Sequence, residues 1–423
     1  MRILTGLLLF GFAASAQTTF YKDISPLAQT ACEQCHQPGK VAPMSLITYD
    51  DFETYAEDIQ LALEMGTMPP WKPVPGFGDF RNSFGITDDQ RQMILDWISN
   101  GMPEGDPADA PAPLAVNDTP WQLGTPDLVL QPSGTYTPPQ DASDTYRCFS
   151  MPTGLTSSAY VRASQAVPTM PQEVHHVLLL LDQSGATAAQ DGADGQPGYD
   201  CYGDLGIGNL SSLQQVLGAL VGTWVPGAQV NPLDDGIGIL IPAGARVVMQ
   251  VHYHPNGLPV ADQTQAGFYY SPPNSVQHRL LSLPLANTTF TIPANNPNYE
   301  VDASLQVPFF LSGKAILVLP HMHLLGQQIA VNMTDPSGNV TPLVKIDAWD
   351  FNWQGSYMYT TPIPIAGNSV LNVTSFYDNS ADNPRNPNSP IVPVSWGERT
   401  TDEMCIALVG VILDNESLLS LLF

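Results

Sequence analysis

The hydrophobic pattern changes character along the chain. Between residues 17 and 106, two stretches carry apolar residues at helical spacing, Asp51–Gly66 and Thr87–Gly101. Beyond Trp121 the apolar residues form short β-rich runs between turn signals, and runs of this kind without long helices between them predict antiparallel β-sandwiches. These runs include Val174–Leu181, Ala245–Tyr253, Leu371–Tyr377 and Met404–Leu413.

The first 16 residues have the pattern of a secretory signal. Arg2 supplies the charged start, Ile3–Phe12 the apolar stretch and Ala14–Ala16 a small-residue cleavage site. The apolar stretch is too short to span a bilayer, and no other segment is long and apolar enough to do so. We therefore expect a periplasmic or secreted protein without a membrane span, exposed to oxidising conditions.

Composition and charge narrow the function classes. The chain has 40 prolines and 34 glycines, which favour turn-rich β architecture. It carries 40 acidic residues against 14 Lys and Arg, a net charge of −26. Phosphate binding needs a basic surface, so this charge argues against a nucleic-acid partner. A large negative charge instead favours solubility, or docking to a cationic redox partner.

The segment Cys32-Glu33-Gln34-Cys35-His36 matches the c-type haem attachment signature, with Cys32 and Cys35 for thioether links and His36 for the iron. A structural disulfide or a zinc pair is the alternative, but no second CxxC or HxxxH accompanies the motif. We expect haem c with a thioether as sixth ligand, and choose Met68 because prolines follow it and stiffen its loop. The remaining candidates are Met44 and Met102, together with Met65 and Met93, which look more like helix-core residues.

Histidine pairs occur in three strand-like runs of the β region. His321 and His323 are separated by one residue, so both point to the same face of an extended strand and make half of a metal site. The adjacent His175 and His176 would face opposite sides of a regular strand, so sharing one metal requires a bulge. A third imidazole, from His252 or His254, can complete a three-nitrogen site.

This combination resembles the copper type II, ascorbate-dependent monooxygenases, the family that includes peptidylglycine α-hydroxylating monooxygenase and dopamine β-monooxygenase. The resemblance covers roughly residues 121–423. The matching stretches are Val174-His175-His176, Gln250-Val251-His252-Tyr253, His321-Met322-His323-Leu324-Leu325-Gly326 and Asp402-Glu403-Met404-Cys405. Asp144-Thr145-Tyr146-Arg147-Cys148 also looks like the family's early strand with its disulfide cysteine.

The resemblance implies two copper ions in two β-sandwich domains. His175, His176 and His252 would bind an electron-transferring copper. His321, His323 and Met404 would bind the catalytic copper, where a soft thioether beside two imidazoles favours Cu(I), the state that meets oxygen. His254 has no counterpart in the family motif, and we expect it behind the ligands or in solvent. His278 stands alone and is most simply a surface or hydrogen-bonded histidine.

Taken together, these motifs predict a multidomain fold. After the signal at residues 1–16, we expect a small all-α cytochrome c-like haem domain at 17–106 and a Pro/Ala/Asp-rich linker at 107–120. Two antiparallel, jelly-roll-like β-sandwich domains should follow at 121–285 and 286–423. Cys148 and Cys201 can pair, which leaves Cys405 as a buried thiol.

Two departures from the family bear on the substrate. Leu319-Pro320 precede His321 where animal peptide hydroxylases carry a basic residue for a peptide carboxylate. Ile406 and Leu408 stand where those enzymes carry Asn and Tyr after the ligand methionine. A peptide with a C-terminal glycine is therefore not the expected substrate. The alternating aromatics Trp349, Phe351 and Trp353 fit a sandwich core better than a substrate wall.

We therefore predict a copper-dependent monooxygenase that hydroxylates a C–H bond of a small organic substrate with O2. Electrons would come from an external donor, an ascorbate-like reductant or a periplasmic redox protein, through the haem and the first copper to the catalytic copper. The alternative is a non-catalytic periplasmic protein that uses the same ligands for electron transfer or copper handling.

Overall fold

The computed structural model describes residues 17–38, 40–114, 119–140, 144–202, 205–207, 219–254, 257 and 259–421. These residues fall into two compact units, the first within Met1–Pro70 and Phe84–Ala115 and the second within Trp71–Ser83 and Val116–Phe423. The predicted signal segment at 1–16 lies outside the described residues, as does part of the predicted linker.

The first unit holds the helical part of the described chain. A single π-helical turn, Phe20–Ile24, leads into the first α-helix, and a 3-10 turn, Pro107–Asp109, lies near the end of the unit. The α-helices are α1 Ser25–Ala31, α2 Tyr49–Thr54, α3 Ala56–Glu64 and α4 Asp88–Ser99. They pack around a small aromatic core in which Phe20, Phe52 and Trp97 are each about 1% exposed.

The predicted helix at 51–66 is divided and only partly buried. Tyr55 separates α2 from α3, and α3 buries Ala56 and Leu63 while Ile59 packs against the core half-buried. Leu61 is 56% exposed and Met65 is 66% exposed, because residues two apart on a helix lie on opposite faces. The interpretation of Met65 as a helix-core residue is therefore wrong.

The second unit is built from strands, which include all four of the runs that the sequence indicated. The described residues form twenty strands. They are β1 Leu128–Leu130, β2 Thr145–Pro152, β3 Ala159–Val167, β4 Val174–Asp182, β5 Tyr199–Asp200, β6 Leu220–Trp224, β7 Ile237–Ile241, β8 Arg246–Tyr253, β9 Gln265–Tyr270, β10 His278–Arg279, β11 Leu281–Asn287, β12 Thr291–Ile292, β13 Asn296–Gln306, β14 Gly313–His321, β15 Gly326–Thr334, β16 Val340–Ile346, β17 Tyr357–Ile365, β18 Val370–Asn379, β19 Val394–Ser395 and β20 Cys405–Leu413.

Four larger sheets and one two-stranded sheet, β12-β19, contain these strands. Two five-stranded sheets, β1-β9-β3-β7-β10 and β5-β2-β8-β4-β6, share one hydrophobic cluster and are called the first sheet pair. Two four-stranded sheets, β11-β20-β14-β17 and β13-β18-β15-β16, share another and are called the second sheet pair. All pairings are antiparallel except that of β10 with β7.

These findings overturn the predicted fold class. Strands make up 37% of the chain and helices 13%, and the four larger sheets have a propeller-like arrangement. Four α-helices of 6 to 12 residues do not make an all-α domain. The prediction of a small all-α cytochrome c-like domain at 17–106, followed by two antiparallel jelly-roll-like sandwiches, is therefore wrong.

The physical reason lies between α3 and α4. Prolines at 69, 70, 73 and 75 prevent helix formation there. The segment Trp71–Ser83 belongs to the second unit, where Pro73 bridges to Ile346 and Phe80 to Tyr359. In the part of the chain that the structure describes, no helix has both the length and the apolar character needed to cross a membrane.

Candidate functional site

The first histidine cluster, His175, His176 and His252, forms because β4 is irregular. The register of β4 with β8 shifts between Val174 and His176, which is the bulge that two adjacent histidines need to share a side. The same pairing places His252 of β8 opposite His176. Potential ligand atoms of the three histidines all lie within 4.8 Å of one another.

The Nδ1 atoms of this cluster converge. Nδ1 of His176 lies 3.2 Å from Nδ1 of His175 and 3.4 Å from Nδ1 of His252. Two nitrogens bound to one tetrahedral metal ion at about 2.0–2.1 Å are separated by about 3.3 Å. The donor set and its spacing therefore fit a single metal ion bound by three imidazoles.

Two of the three rings in this cluster, those of His252 and His175, are held by partners outside it. Nε2 of His252 lies 2.8 Å from Oδ1 of Asp144, and the ring of His175 donates a hydrogen bond to the backbone carbonyl of Phe351. Burial would raise the pKa of Asp144, but hydrogen bonds from His252, His254 and Thr400 outweigh it and hold that pKa well below its usual range. An ionised Asp144 keeps the proton of His252 on Nε2, which leaves the Nδ1 lone pair for a metal.

The second histidine cluster, His321 and His323, lies where β14 ends. The two ring centroids are 5.1 Å apart. Nδ1 of His321 lies 2.5 Å from Oε1 of Gln354, and Nδ1 of His323 lies 3.1 Å from the backbone oxygen of Asp402. In both rings Nδ1–H donates to an oxygen, so the lone pair is on Nε2.

Met404 lies just before β20. The pairing of β14 with β20 ends at His321 and Ile406, and Met404 packs against the hydrophobic cluster of Ile406 and Leu408. The hydroxyl of Tyr377 donates to the backbone oxygen of Met404 at 2.7 Å. The backbone positions of His321, His323 and Met404 therefore lie near one end of the β14–β20 ladder, and the role of Met404 as a copper ligand stays a prediction.

Glu403 ties these ligands together. Its carboxylate is fully buried and accepts the backbone N–H of His323 at 2.9 Å and that of Leu325 at 2.5 Å. Burial raises the pKa of Glu403 to about 8 against the opposing effect of these donors. The side chain thus fixes the turn after His321 to the start of β20.

Burial keeps the imidazoles of both clusters neutral at pH 7. It lowers the pKa of His175 to about 3 and that of His321 to about 4, and holds the pKa values of His176 and His323 well below the ordinary value. The pKa of His252 is also lowered by burial, although Asp144 opposes this. A neutral imidazole is the form that binds metal.

Phe351 is a site residue that the sequence did not indicate. Its ring stacks on His175 with 4.2 Å between centroids, and its edge-on contact with His323 spans 5.5 Å. The run 349–354 is a turn between β16 and β17, so its alternating aromatics do not lie on a strand. Trp349 is buried as expected, and its Nε1 donates to the backbone oxygen of His323 at 3.1 Å.

Asp144, Gln354 and Thr400 were also missed. Asp144 and Gln354 each contact a histidine that is distant in sequence, and Thr400 contacts Asp144, so no local spacing could reveal them. Asp144 stands in a stretch that resembles the family's early strand, which was the only signal available.

The haem-type motif of the first unit follows α1. The backbone N–H groups of Cys35 and His36 both donate to the oxygen of Cys32, which makes a tight turn, and neither cysteine is in a disulfide. Nδ1 of His36 lies 3.2 Å from the backbone oxygen of Met44, an arrangement that leaves the Nε2 lone pair for iron. Burial raises the pKa of Cys32 to about 12 and also raises that of Cys35, so both are thiols. This donor set fits a covalently attached haem c.

Met68, the predicted sixth ligand, lies just beyond α3. It is half-buried, and its backbone N–H donates to the oxygen of Ala62 at 3.4 Å. Its role as a ligand stays a prediction.

The remaining cysteines and histidines agree with the interpretations given above. Cys148 and Cys201 form a disulfide, and Cys405 is a buried free thiol. His254 is 59% exposed, with Nδ1 3.6 Å from Asp144. His278 hydrogen-bonds the backbone oxygen of Leu413 at 3.0 Å.

Comparison with known proteins identifies no family for this chain. No protein-family model matches it, and no curated protein does. Among solved structures, the infectious bursal disease virus VP2 subviral particle is 10% identical, with a TM-score of 0.19 over 71% of this chain and 74% of that one. The major capsid protein of bacteriophage PM2 is 9% identical, with a TM-score of 0.21 over 68% of this chain and 98% of that one. A two-domain protein of unknown function from Bacteroides fragilis is 10% identical, with a TM-score of 0.16 over 70% of this chain and 100% of that one. Likenesses this distant carry no argument about function.

Proposed function

We propose that this protein is a copper-dependent monooxygenase that hydroxylates a C–H bond of a small organic substrate. The observation that carries the proposal is the convergence of three Nδ1 atoms in the first histidine cluster, 3.2 and 3.4 Å apart, with His252 anchored from behind by Asp144. A second cluster with two Nε2 lone pairs lies nearby, because Phe351 contacts a histidine of each.

The donor types favour copper. Imidazole binds copper, zinc, iron and nickel, but a thioether is a soft ligand that selects Cu(I), and Met404 precedes the strand that pairs with His321, where it would supply one. When bound, copper at these clusters would supply one-electron chemistry toward O2, and a haem on Cys32, Cys35 and His36 would supply a further one-electron store.

The overall reaction inserts one oxygen atom of O2 into a C–H bond and reduces the other to water. The C–H bond provides two electrons, and an external donor, an ascorbate-like reductant or a periplasmic redox protein, must provide two more. The chain's own contribution is positional. Asp144, Gln354 and the backbone of Asp402 orient the histidines, and the Phe351 ring contacts His175 of one cluster and His323 of the other.

An isotope experiment tests the proposal. The copper-loaded, haem-containing protein is incubated with ascorbate, ¹⁸O2 and a panel of small organic compounds, and products are read by mass. We expect one ¹⁸O atom per product molecule and oxygen uptake that depends on substrate. Copper-loaded protein that consumes ascorbate but yields no oxygenated product from any compound contradicts the proposal.

Two variants test the assignment of Met404. We expect Met404→Ala to fold and to lose most turnover, because the thioether is absent. Met404→Leu fills a similar volume without sulfur and should lose turnover equally. Normal hydroxylation by either variant with copper bound would show that Met404 is not a ligand.

A second candidate function is non-catalytic electron transfer or copper handling. It is favoured by burial, since His252 is 1% exposed and His323 is 4% exposed, which leaves little surface for a substrate. The two functions differ in one measurement. The measurement is O2 consumption coupled to product formation. A monooxygenase consumes O2 in proportion to the hydroxylated product, whereas an electron-transfer protein passes its electrons to an acceptor protein and forms no such product.

A further inference from the structure

Two turns of the second sheet pair reach both histidine clusters. The first is the turn Trp349–Gln354, between β16 and β17, and the second is the turn Glu398–Met404, which precedes β20. The first cluster belongs to β4 and β8 of the first sheet pair, so these contacts cross from one sheet pair to the other.

The turn Trp349–Gln354 holds one histidine of each cluster. The backbone carbonyl of Phe351 accepts a hydrogen bond from the ring of His175, and the Phe351 ring stacks on the same imidazole at 4.2 Å. Three residues later, Oε1 of Gln354 lies 2.5 Å from Nδ1 of His321. Movement of this turn would therefore displace a ring in each cluster.

The turn Glu398–Met404 reaches two further rings, one in each cluster, His252 and His323. Oγ1 of Thr400 donates to Oδ1 of Asp144 at 2.7 Å, and that same oxygen lies 2.8 Å from Nε2 of His252. Two residues later, the backbone oxygen of Asp402 lies 3.1 Å from Nδ1 of His323. Met404, the predicted thioether ligand, ends the turn.

This connection is largely buried. Thr400 is 7% exposed, and the Asp144 side chain is 6% exposed. Because one oxygen of a buried carboxylate is shared by His252 and Thr400, a shift of His252 would be transmitted to Thr400. The hydroxyl of Tyr146 adds a further tie by donating to the backbone oxygen of Glu398 at 2.6 Å.

We propose that this shared frame of two turns couples the two clusters, so that copper bound at the first cluster raises the affinity of the second, with Thr400 as the main positioning residue. The inference rests on the proposed copper sites but not on catalysis. Coupling between two sites is reciprocal, and a factor of roughly ten lies within the usual range.

A double-mutant cycle on the full chain tests the coupling. Cu(I) is titrated anaerobically against a chromophoric chelator into the unsubstituted protein, His252→Ala, Thr400→Val and the double variant. X-ray absorption identifies the second cluster by its copper–sulfur signal. We expect His252→Ala to retain one copper with about tenfold weaker affinity at the second cluster. In the Thr400→Val background the same His252→Ala substitution should have a much smaller effect, which reflects only the contacts made by the turn Trp349–Gln354.

Two control variants isolate the Thr400 hydroxyl. Thr401→Val changes an exposed neighbour in the same turn and should leave the coupling intact. Thr400→Ser retains the hydroxyl and should also preserve it. If Thr400→Ser removes the coupling as Thr400→Val does, the hydroxyl is not the link and the inference fails.

The outcomes separate this inference from the proposed function. If His252→Ala leaves the copper affinity of the second cluster unchanged, the two coppers bind independently. That result contradicts the coupling but not the two copper sites. A chain that binds no copper at either cluster overturns both.

Discussion

Each histidine ring of the second cluster, and two of the three in the first, is fixed by a partner on the nitrogen that faces away from the cluster. The partners differ: a carboxylate for His252, an amide oxygen for His321, and backbone carbonyls for His175 and His323. Such partners set the tautomer and the direction of the remaining lone pair. The first cluster therefore presents Nδ1 atoms and the second Nε2 atoms.

Asp144→Asn should weaken copper binding at the first cluster. The amide keeps an acceptor for His252 but removes the negative charge that fixes the tautomer, so we expect affinity to fall by about tenfold. Competition titration with Cu(I) measures the copper affinity of the first cluster in this variant. Asp200→Asn, an exposed carboxylate on β5, is the matched control and should bind as the unsubstituted protein does. Equal affinities in the two variants would contradict the role of Asp144.

The metal-free protein should lose stability as the pH falls below 6.5. The unfolded histidines have the ordinary pKa of 6.5, whereas burial lowers the pKa of His175 to about 3 and that of His321 to about 4. Between these values the unfolded state binds protons that the folded state does not, so acid favours unfolding. Above pH 6.5 this contribution to stability is fully present.

Thermal denaturation across pH measures this loss. Glu403 acts in the opposite direction, because its pKa, raised to about 8 from 4.5, makes the folded state the better proton binder between those values. Comparison with the double variant His175→Asn/His321→Asn isolates the histidine contribution. We expect a shallower decline in that variant, and an equal slope would show that these histidines do not titrate as described.

Among the secondary-structure elements, the positions of the strands could be predicted from the sequence, but the contacts that side chains make between sheets could not. The apolar runs marked β4, β8, β18 and β20, and the adjacency of His175 and His176 required the bulge found in β4. The aromatic residues of the turn Trp349–Gln354 were interpreted as the face of a sandwich core, because alternation of aromatic and polar residues is also what a half-buried strand shows. Phe351 and Thr400 act across sheets, so their roles depend on tertiary packing that no local pattern encodes.

The disulfide that joins β2 to the residue after β5 should matter for stability. Cys148 and Cys201 are 53 residues apart, and closing a loop of that length stabilises the fold by about 4 kcal/mol on the chain-entropy account. We expect Cys148→Ser/Cys201→Ser to lose roughly this amount in urea denaturation. Unchanged stability would mean that β2 and β5 hold this region without the bond.

For the whole molecule, the predicted fold class was wrong for both units, whereas the residues of the haem-type motif still have the chemistry that haem attachment needs. Residues 32–36 form a turn with two free thiols and a histidine whose Nε2 lone pair is available. The helices around it are too short and too few for the predicted all-α domain. A five-residue motif thus indicates chemistry without fixing the fold that carries it.

Covalent haem attachment is directly testable. Expression with a c-type haem maturation system should give a protein that keeps its haem through denaturing electrophoresis, because thioether bonds survive denaturation. Cys32→Ala/Cys35→Ala should lose the haem and retain both histidine clusters. Haem retained by the double variant, or absent from the unsubstituted protein, would contradict haem c at this motif.

Anomalous diffraction at the copper edge, from crystals of the copper-loaded protein, tests the two metal sites that the account requires. We predict two peaks. The first should be bounded by Nδ1 of His175, His176 and His252, and the second by Nε2 of His321 and His323 with the sulfur of Met404 beside it. A missing peak at either cluster, or a second peak with the Met404 sulfur turned away from both rings, would contradict the account.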